Sequence, residues 1–405
     1  MTTRRRLLTP LVLILGSGLS LRAQAPAQQP TTTNDGAWAL WDEVMHHFLH
    51  SYYQPLDEAQ VTKKTIELLA DKVQGASSMK PSSLGTTHED LQLGFREFIL
   101  KLTALSGKPA GTFVEAAIAS YCEQLKFTRY LPAKVNAALG QLGEARVDMS
   151  IKALDAGRFV CLPEPGGNAA EKGIRAGDEL ISIDGVSVQG KSGFQLQPRL
   201  HGSVGSQVEI SVRQISGRTL AATLTRSIYS TTKVTRQSDP SGPRIRIPGF
   251  SSSTANDLRA LLKDVKATDI LTLDLRGNGG GDIRFATEAI GLLAPGARPF
   301  QFGLKKQRGQ PDVTLSTEEP CICAARSLII LQDEGTASSA ELLIAALQSA
   351  PDLRVSIGGT KSHGKDVFEA TFDVSGGLFI ITVGNLTRMD GTGWAEGIKP
   401  TFYRG

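Results

Sequence analysis

The stretch Asp333-Glu-Gly-Thr-Ala-Ser-Ser-Ala-Glu-Leu-Leu-Ile-Ala-Ala-Leu347 decides the fold of the second half of this chain. The apolar residues at 328–331 just before it have the length of a buried strand, and Ser338 or Ser339 opens an apolar helix over 338–349. A strand that turns directly into a buried helix is the repeating unit of an α/β layer. Working outward, further strands are predicted at 244–247, 270–275, 353–357, 367–372 and 378–383, with helices at 254–265 and 282–293. Residues 229–405 therefore read as one α/β domain.

The same turn carries a candidate nucleophile. A serine oxygen at a helix N-terminus lies in a positive local field, which stabilises the charge that develops on it during attack. The competing reading is structural, with Thr336 or Ser338 as an N-cap and Glu341 completing a capping box. A second strand end, Leu273-Asp-Leu-Arg-Gly-Asn-Gly-Gly-Gly-Asp282, brings three consecutive glycines. Where no Cβ blocks the approach, backbone N–H groups can converge on an anion, as in an oxyanion hole. The loop has neither the Gly-Lys-Ser/Thr ending of a P-loop nor the spacing of a dinucleotide site, and a plain strand-to-helix turn is the structural alternative.

A third segment, Gly358-Gly-Thr-Lys-Ser-His-Gly-Lys-Asp-Val-Phe-Glu369, sets Lys365 between a glycine turn and a buried strand. Burial there would depress its pKa and leave a neutral amine able to take the proton of a serine hydroxyl. The structural alternative is an ordinary exposed, charged lysine.

Upstream, residues 146–228 change texture to short apolar runs separated by Gly, Asp and Ser, the mark of a β-rich module. Pro165-Gly-Gly-Asn-Ala-Ala-Glu-Lys-Gly-Ile-Arg-Ala-Gly-Asp-Glu-Leu-Ile-Ser-Ile-Asp-Gly-Val186 predicts a short helix at 169–172, a tight turn at Gly177-Asp178, a strand at 180–183 and a turn at Asp184-Gly185. This run resembles the core of PDZ domains, although the Gly-Leu-Gly type of carboxylate loop is replaced by Val147-Asp-Met-Ser-Ile151 and no peptide-binding residue is assigned. Residues 37–145 show helical periodicity from Trp38 to Leu49 and again over 65–73, 91–105 and 114–125, so they read as an N-terminal helical domain. His46, His47 and His50 lie on its first helix without the glutamate of an H-E-x-x-H motif or an evident third ligand; they read as surface or interface residues and no metal site is assigned.

The 405 residues suffice for two or three domains, and 44 basic against 40 acidic residues, interspersed, form no stripe for nucleic acid. Residues 1–27 have a positive start at Arg4-Arg-Arg6, an apolar run at 7–21 too short for a membrane span, and small residues at Ala23, Ala25 and Ala27. They predict a signal peptide followed by a disordered tether at 28–36, hence a periplasmic or extracellular protein with no permanent membrane span. In that oxidising setting Cys122, Cys161, Cys321 and Cys323 read as structural thiols or as one disulfide, with no pairing favoured.

The three chemical segments, in this order and behind this module, resemble the C-terminal processing peptidases, also called tail-specific proteases. The signatures of that family are similar to D-L-R-x-N-x-G-G, G-T-A-S-A-S-E and T-F-G-K-G-x-x-Q, matched by Asp274-Leu-Arg-Gly-Asn-Gly-Gly-Gly281, Gly335-Thr-Ala-Ser-Ser-Ala-Glu341 and Ser362-His-Gly-Lys-Asp-Val-Phe-Glu369. Tyr52-Tyr-Gln-Pro-Leu-Asp57, Thr128-Arg-Tyr-Leu-Pro132 and Glu396-Gly-Ile-Lys-Pro400 extend the likeness over almost all of the remaining chain. The resemblance implies a multidomain α/β protein with a crotonase-like α/β catalytic domain, acting on protein or peptide substrates without metal or organic cofactor.

By position, the resemblance makes Ser338 the nucleophile and Lys365 the general base, with the backbone amides of Gly280 and Ser339 as oxyanion donors. Glu369 stands where the family has a glutamine that orients the lysine. Ionised, Glu369 would hold Lys365 charged; protonated, it would orient it by a hydrogen bond. Asp366 adds a second negative charge beside the lysine, and His363 offers a histidine as an alternative base. The expected function is an exported, ATP-independent serine endopeptidase cutting near C-terminal tails. The alternatives are a catalytically impaired peptide-binding scaffold of the same fold and a small-molecule esterase or amidase. The oligomeric state is left open.

Overall fold

The computed structural model describes residues 34–81, 84–140, 145–154, 158–164, 167–191, 196, 199–227 and 233–402. The expected signal peptide and most of the tether lie outside the described residues. No described helix is long and apolar enough to cross a membrane.

The second half is built on a sheet in the order 235–237, 244–246, 270–274, 327–332, 354–359, parallel throughout except for its first, antiparallel pair. Strand Ser327–Gln332 lies between Ile270–Asp274 and Arg354–Gly359, and helices Thr254–Leu262, Ile283–Leu293 and Ser339–Ser349 pack with these strands into one core. In such sheets the ligand crevice lies beyond the carboxyl ends of the strands. The glycine loop, the Ser338 turn and the Lys365 segment follow the carboxyl ends of these three neighbouring strands.

A second, antiparallel sheet runs through 129–132, 377–387, 300–307 and 313–317, with 367–374 also paired to 377–387. Strands 300–307 and 313–317 have no counterpart in the sequence reading. The more consequential difference is Arg129–Pro132, which pairs with the final strand in the register Arg129↔Ile380 to Pro132↔Gly377. The chain before the β-rich module thus ends in a strand of the second sheet rather than in helix alone. Its four longer helices, Asn34–His50, Glu58–Lys72, His88–Ser106 and Ala110–Cys122, pack Trp41, Phe48, Phe95 and Phe98 together with Phe379, Ile381 and Val383 of that sheet in one apolar cluster. Burying these aromatic side chains across the seam stabilises the two parts as one unit. His47 belongs to that seam: its ring stacks on Phe372 at 3.9 Å, and burial lowers its pKa to about 4.

The β-rich module is a sheet in the order 149–153, 159–163, 179–183, 207–213, 219–225, with the short helix Asn168–Glu171 packed beside it. Asp148 is fully buried and accepts from the Ala169 amide, anchoring that helix. The turns expected at 177–178 and 184–185 are present, with Gly177, Asp184 and Gly185 at positive φ. All four cysteines are free thiols; burial pushes Cys161 up to about 12 and Cys323 up to about 11.

Candidate active site

The Ser338 turn is stapled to the glycine loop before the helix begins. Asp333 Oδ1 accepts from the amides of Gly277 at 2.8 Å and Gly335 at 3.0 Å, and Ala337 N–H donates to Asn278 O at 2.9 Å. A Cβ on Gly335 would lie 3.0 Å from the Gly277 Cα, so the two loops meet backbone to backbone and a side chain there would have to push them apart by a few tenths of an ångström. Ser338 follows at φ 58° and ψ −120°, a strained conformation for a residue with a side chain. The helix Ser339–Ser349 starts at the next residue and is buried from Ser339 through Leu347, which fixes the direction of the strained turn.

Glu341, fully buried, ties this turn to the lysine segment. Its Oε2 accepts from the amides of both Ser338 at 2.9 Å and Lys365 at 2.8 Å, while Oε1 accepts from Gly364 N–H at 2.7 Å and Ser362 Oγ at 2.5 Å. Burial raises the Glu341 carboxyl above its ordinary value despite the opposing pull of these donors. The Ser362 hydroxyl in turn accepts from Ile398 N–H at 2.7 Å, so the closing Gly-Ile-Lys-Pro turn also braces the segment.

Lys365 is only 6% exposed, and its Nζ donates to Glu369 Oε2 at 2.9 Å. Glu369 Oε1 accepts from Arg129 Nη1 at 3.0 Å, and the Phe127 ring centroid lies 5.0 Å from the lysine nitrogen. Burial pulls the Lys365 pKa below the usual lysine range; Glu369 opposes that shift and Arg129 reinforces it. Asp366 faces elsewhere: desolvation raises its buried carboxyl, opposed by the charge of Lys126 and by the nearby amides of Trp394 and Ala395. The His363 ring lies against Phe127, with centroids 5.7 Å apart, and its amide donates to Thr336 O.

The expected oxyanion donors differ from one another. Gly280 N–H, assigned to the anion by the resemblance, instead donates inward to Asn278 Oδ1 at 2.8 Å. The cause is that Asn278 is fully buried and its side-chain oxygen requires a donor; its Nδ2 donates to Ile247 O at 2.8 Å. The Ser339 amide takes no partner among the described residues, nor do those of Gly279 and Gly281. The Ser339 hydroxyl, by contrast, donates to Gly281 O at 2.8 Å. Of the two adjacent serines, the second is thus engaged in holding the glycine loop.

Arg129, Phe127, Asn278 and Asp333 were missed as site residues by the sequence reading, and Glu341 was seen only as a cap. The one signal for Arg129 was its place in the Thr128–Pro132 segment of the family likeness; Phe127 had none.

The module reaches this site as well. Glu164, just past the strand Phe159–Pro163, pairs with Arg246, whose Nη1 also donates to Arg276 O at 3.0 Å. A Cβ on Gly335 would come within 3.4 Å of Leu162 Cδ1, so this strand end abuts the serine turn.

With the geometry in place, comparison with known proteins names the domains. Residues 244–404 match peptidase family S41, and residues 159–214 match a PDZ domain. Residues 244–404 thus form a peptidase family S41 domain. It is 28% identical over 229 residues to a carboxyl-terminal-processing protease of Synechocystis sp., a match covering 55% of this chain and 52% of that protein. It is 27% identical over 380 residues to carboxyl-terminal-processing peptidase 2, chloroplastic, of Arabidopsis thaliana, covering 84% and 72%. The chain thus spans about half the length of the Synechocystis relative. The solved photosystem II D1 C-terminal processing protease shares the fold of this chain, with a TM-score of 0.65 and 21% identity over 91% of this chain and 92% of that one.

Proposed function

We propose that this S41 protein is an exported, ATP-independent serine endopeptidase that cuts protein or peptide substrates near their C-terminal tails. The observation that carries the proposal is the shared carboxylate of Glu341, which receives the backbone amides of Ser338 and of the buried Lys365. One rigid group thereby fixes a strained serine and a lysine of depressed pKa at the carboxyl ends of neighbouring strands.

In the proposed reaction the neutral Lys365 amine takes the Ser338 hydroxyl proton as Oγ bonds to the scissile carbonyl carbon. The resulting oxyanion is held by the Ser339 amide and the glycine loop. Gly280 joins them once its amide is released by Asn278. Collapse breaks the C–N bond, the lysine ammonium gives its proton to the leaving amine, and water then hydrolyses the ester by the same steps. Lys365 must turn from Glu369 toward Ser338 to act. The PDZ domain would hold the tail as an added strand beside the site. The leader at 1–27 supports export.

One observation favours a second reading. The 2.9 Å pair of Lys365 with Glu369 favours the charged amine, as it would in a scaffold that binds tails without cutting them. Incubating an unfolded protein bearing an apolar C-terminal tail with wild type, Ser338→Ala and Lys365→Ala decides between them. The peptidase predicts cleavage by wild type alone; binding without cleavage across neutral and alkaline pH supports the scaffold.

A further inference from the structure

We infer that Arg129 is a positioning residue for the Ser338 and Lys365 chemistry: it counters the charge of Glu369 so that the lysine amine can work in its neutral form. The inference rests on the proposed role of Lys365 as base. Glu369 is 2% exposed and its two oxygens are divided between two cations, Lys365 Nζ at 2.9 Å and Arg129 Nη1 at 3.0 Å. A lone carboxylate at this distance in a buried site would lock the lysine as an ammonium. With the arginine on the other oxygen, deprotonated Lys365 leaves behind a neutral Arg129–Glu369 pair, so the active state buries no uncompensated charge.

The surroundings of the lysine bear this out group by group. Strand Val367–Val374 contributes Glu369, strand Arg129–Pro132 contributes Arg129, and helix Ser339–Ser349 contributes Glu341, whose carboxylate is already engaged by four donors including the Lys365 amide. The Phe127 ring covers another side, and Phe127 holds a strained φ of 49° two residues before Arg129. Asp366 is turned to the loop amides of Trp394 and Ala395. Arg129 is held in position by a strand of the second sheet, in register with Ile380. A segment that precedes the PDZ domain in the chain therefore completes the environment of a base that follows it.

The experiment is the pH profile of kcat/KM for cleavage of a tailed peptide by the full chain, in wild type, Arg129→Gln, Glu369→Gln and the double variant. At the spacing of two cations on one carboxylate, removing the arginine charge should raise the acid limb by about 1–2 pH units. Arg129→Gln is expected to move the limb up, Glu369→Gln to move it down, and the double variant to return it close to wild type. A loss of rate in Arg129→Gln with the limb unmoved, or a double variant that stays with Arg129→Gln, would overturn the inference. Should Arg129→Gln not fold, a Glu369→Gln limb that does not fall overturns it equally. If wild type neither cleaves nor takes a serine-directed label, the base role itself fails. Titration of the Lys365 Nζ by nitrogen NMR in lysine-labelled protein, assigned with Lys365→Ala, then decides separately: an upward shift in Arg129→Gln upholds the charge coupling and an unchanged titration refutes it.

Discussion

Replacing Glu341 by glutamine tests whether one carboxylate holds the Ser338 turn and the Lys365 segment together. Four donors converge on it, two amides on Oε2 and one amide with one hydroxyl on Oε1. A glutamine oxygen at the Oε2 position keeps the Ser338 and Lys365 amides, but its NH2 then faces the Gly364 N–H, donor against donor. Leaving that buried amide unmet costs about 1–3 kcal/mol, and the two retained bonds each lose roughly 1 kcal/mol with the charge, giving about 3–5 kcal/mol in all. Glu341→Ala abandons all four donors, roughly 4–12 kcal/mol, comparable to the whole stability of a domain. Urea unfolding followed by tryptophan fluorescence reads the loss, because Trp394 is buried in the core cluster of this domain and Trp41 in the helical cluster packed on the second sheet. Displacing the serine and lysine segments by even an ångström should also lower kcat by about 100-fold. A Glu341→Gln protein within about 1 kcal/mol of wild type that also cleaves at the wild-type rate would refute the claim that the carboxylate organises the site.

Two further outcomes follow from charges around the same loops. Asp274 is fully buried among Arg276, Arg244 and Arg246; burial alone would raise its carboxyl, but the arginines outweigh it and hold it below its ordinary value. A depressed folded pKa means its stabilisation is present above the unfolded value and lost as pH falls through the folded one. Asp274→Asn should therefore cost about 3–5 kcal/mol at neutral pH, with the gap to wild type closing in acid, as urea titrations at several pH values would show. Glu164→Gln breaks the ion pair between the PDZ domain and Arg246. It should change cleavage of long tailed substrates more than reaction with a small serine-directed label, and equal effects on both would argue that the contact only supports the fold.

The α/β half was legible because its signals are local: glycine runs at strand ends, an apolar helix behind Ser338, and strands near their expected places. The PDZ turns were legible for the same reason, since Gly177 and Asp184-Gly185 mark positive φ in the sequence itself. What escaped was everything set by contacts distant in the chain. Arg129 meets Glu369 across the whole PDZ domain, and no periodicity in 114–132 announces a strand that joins the final sheet. Glu341 satisfies a capping-box pattern, so its second task of binding the amides of 364 and 365 was invisible until the two segments were placed together. Gly280 is a related case, because a glycine promises freedom of approach while the direction of its N–H is decided by a buried neighbour, Asn278.

The most direct test of the account is to treat the full chain with a fluorophosphonate and map the adduct by peptide mass. Ser338 sits at the strained turn beside the base segment, whereas the Ser339 hydroxyl is engaged with Gly281 O. One adduct is expected, on Ser338, absent from Ser338→Ala and strongly slowed in Lys365→Ala. Labelling of Ser339, labelling that persists in Ser338→Ala, or no adduct from neutral to alkaline pH would contradict it.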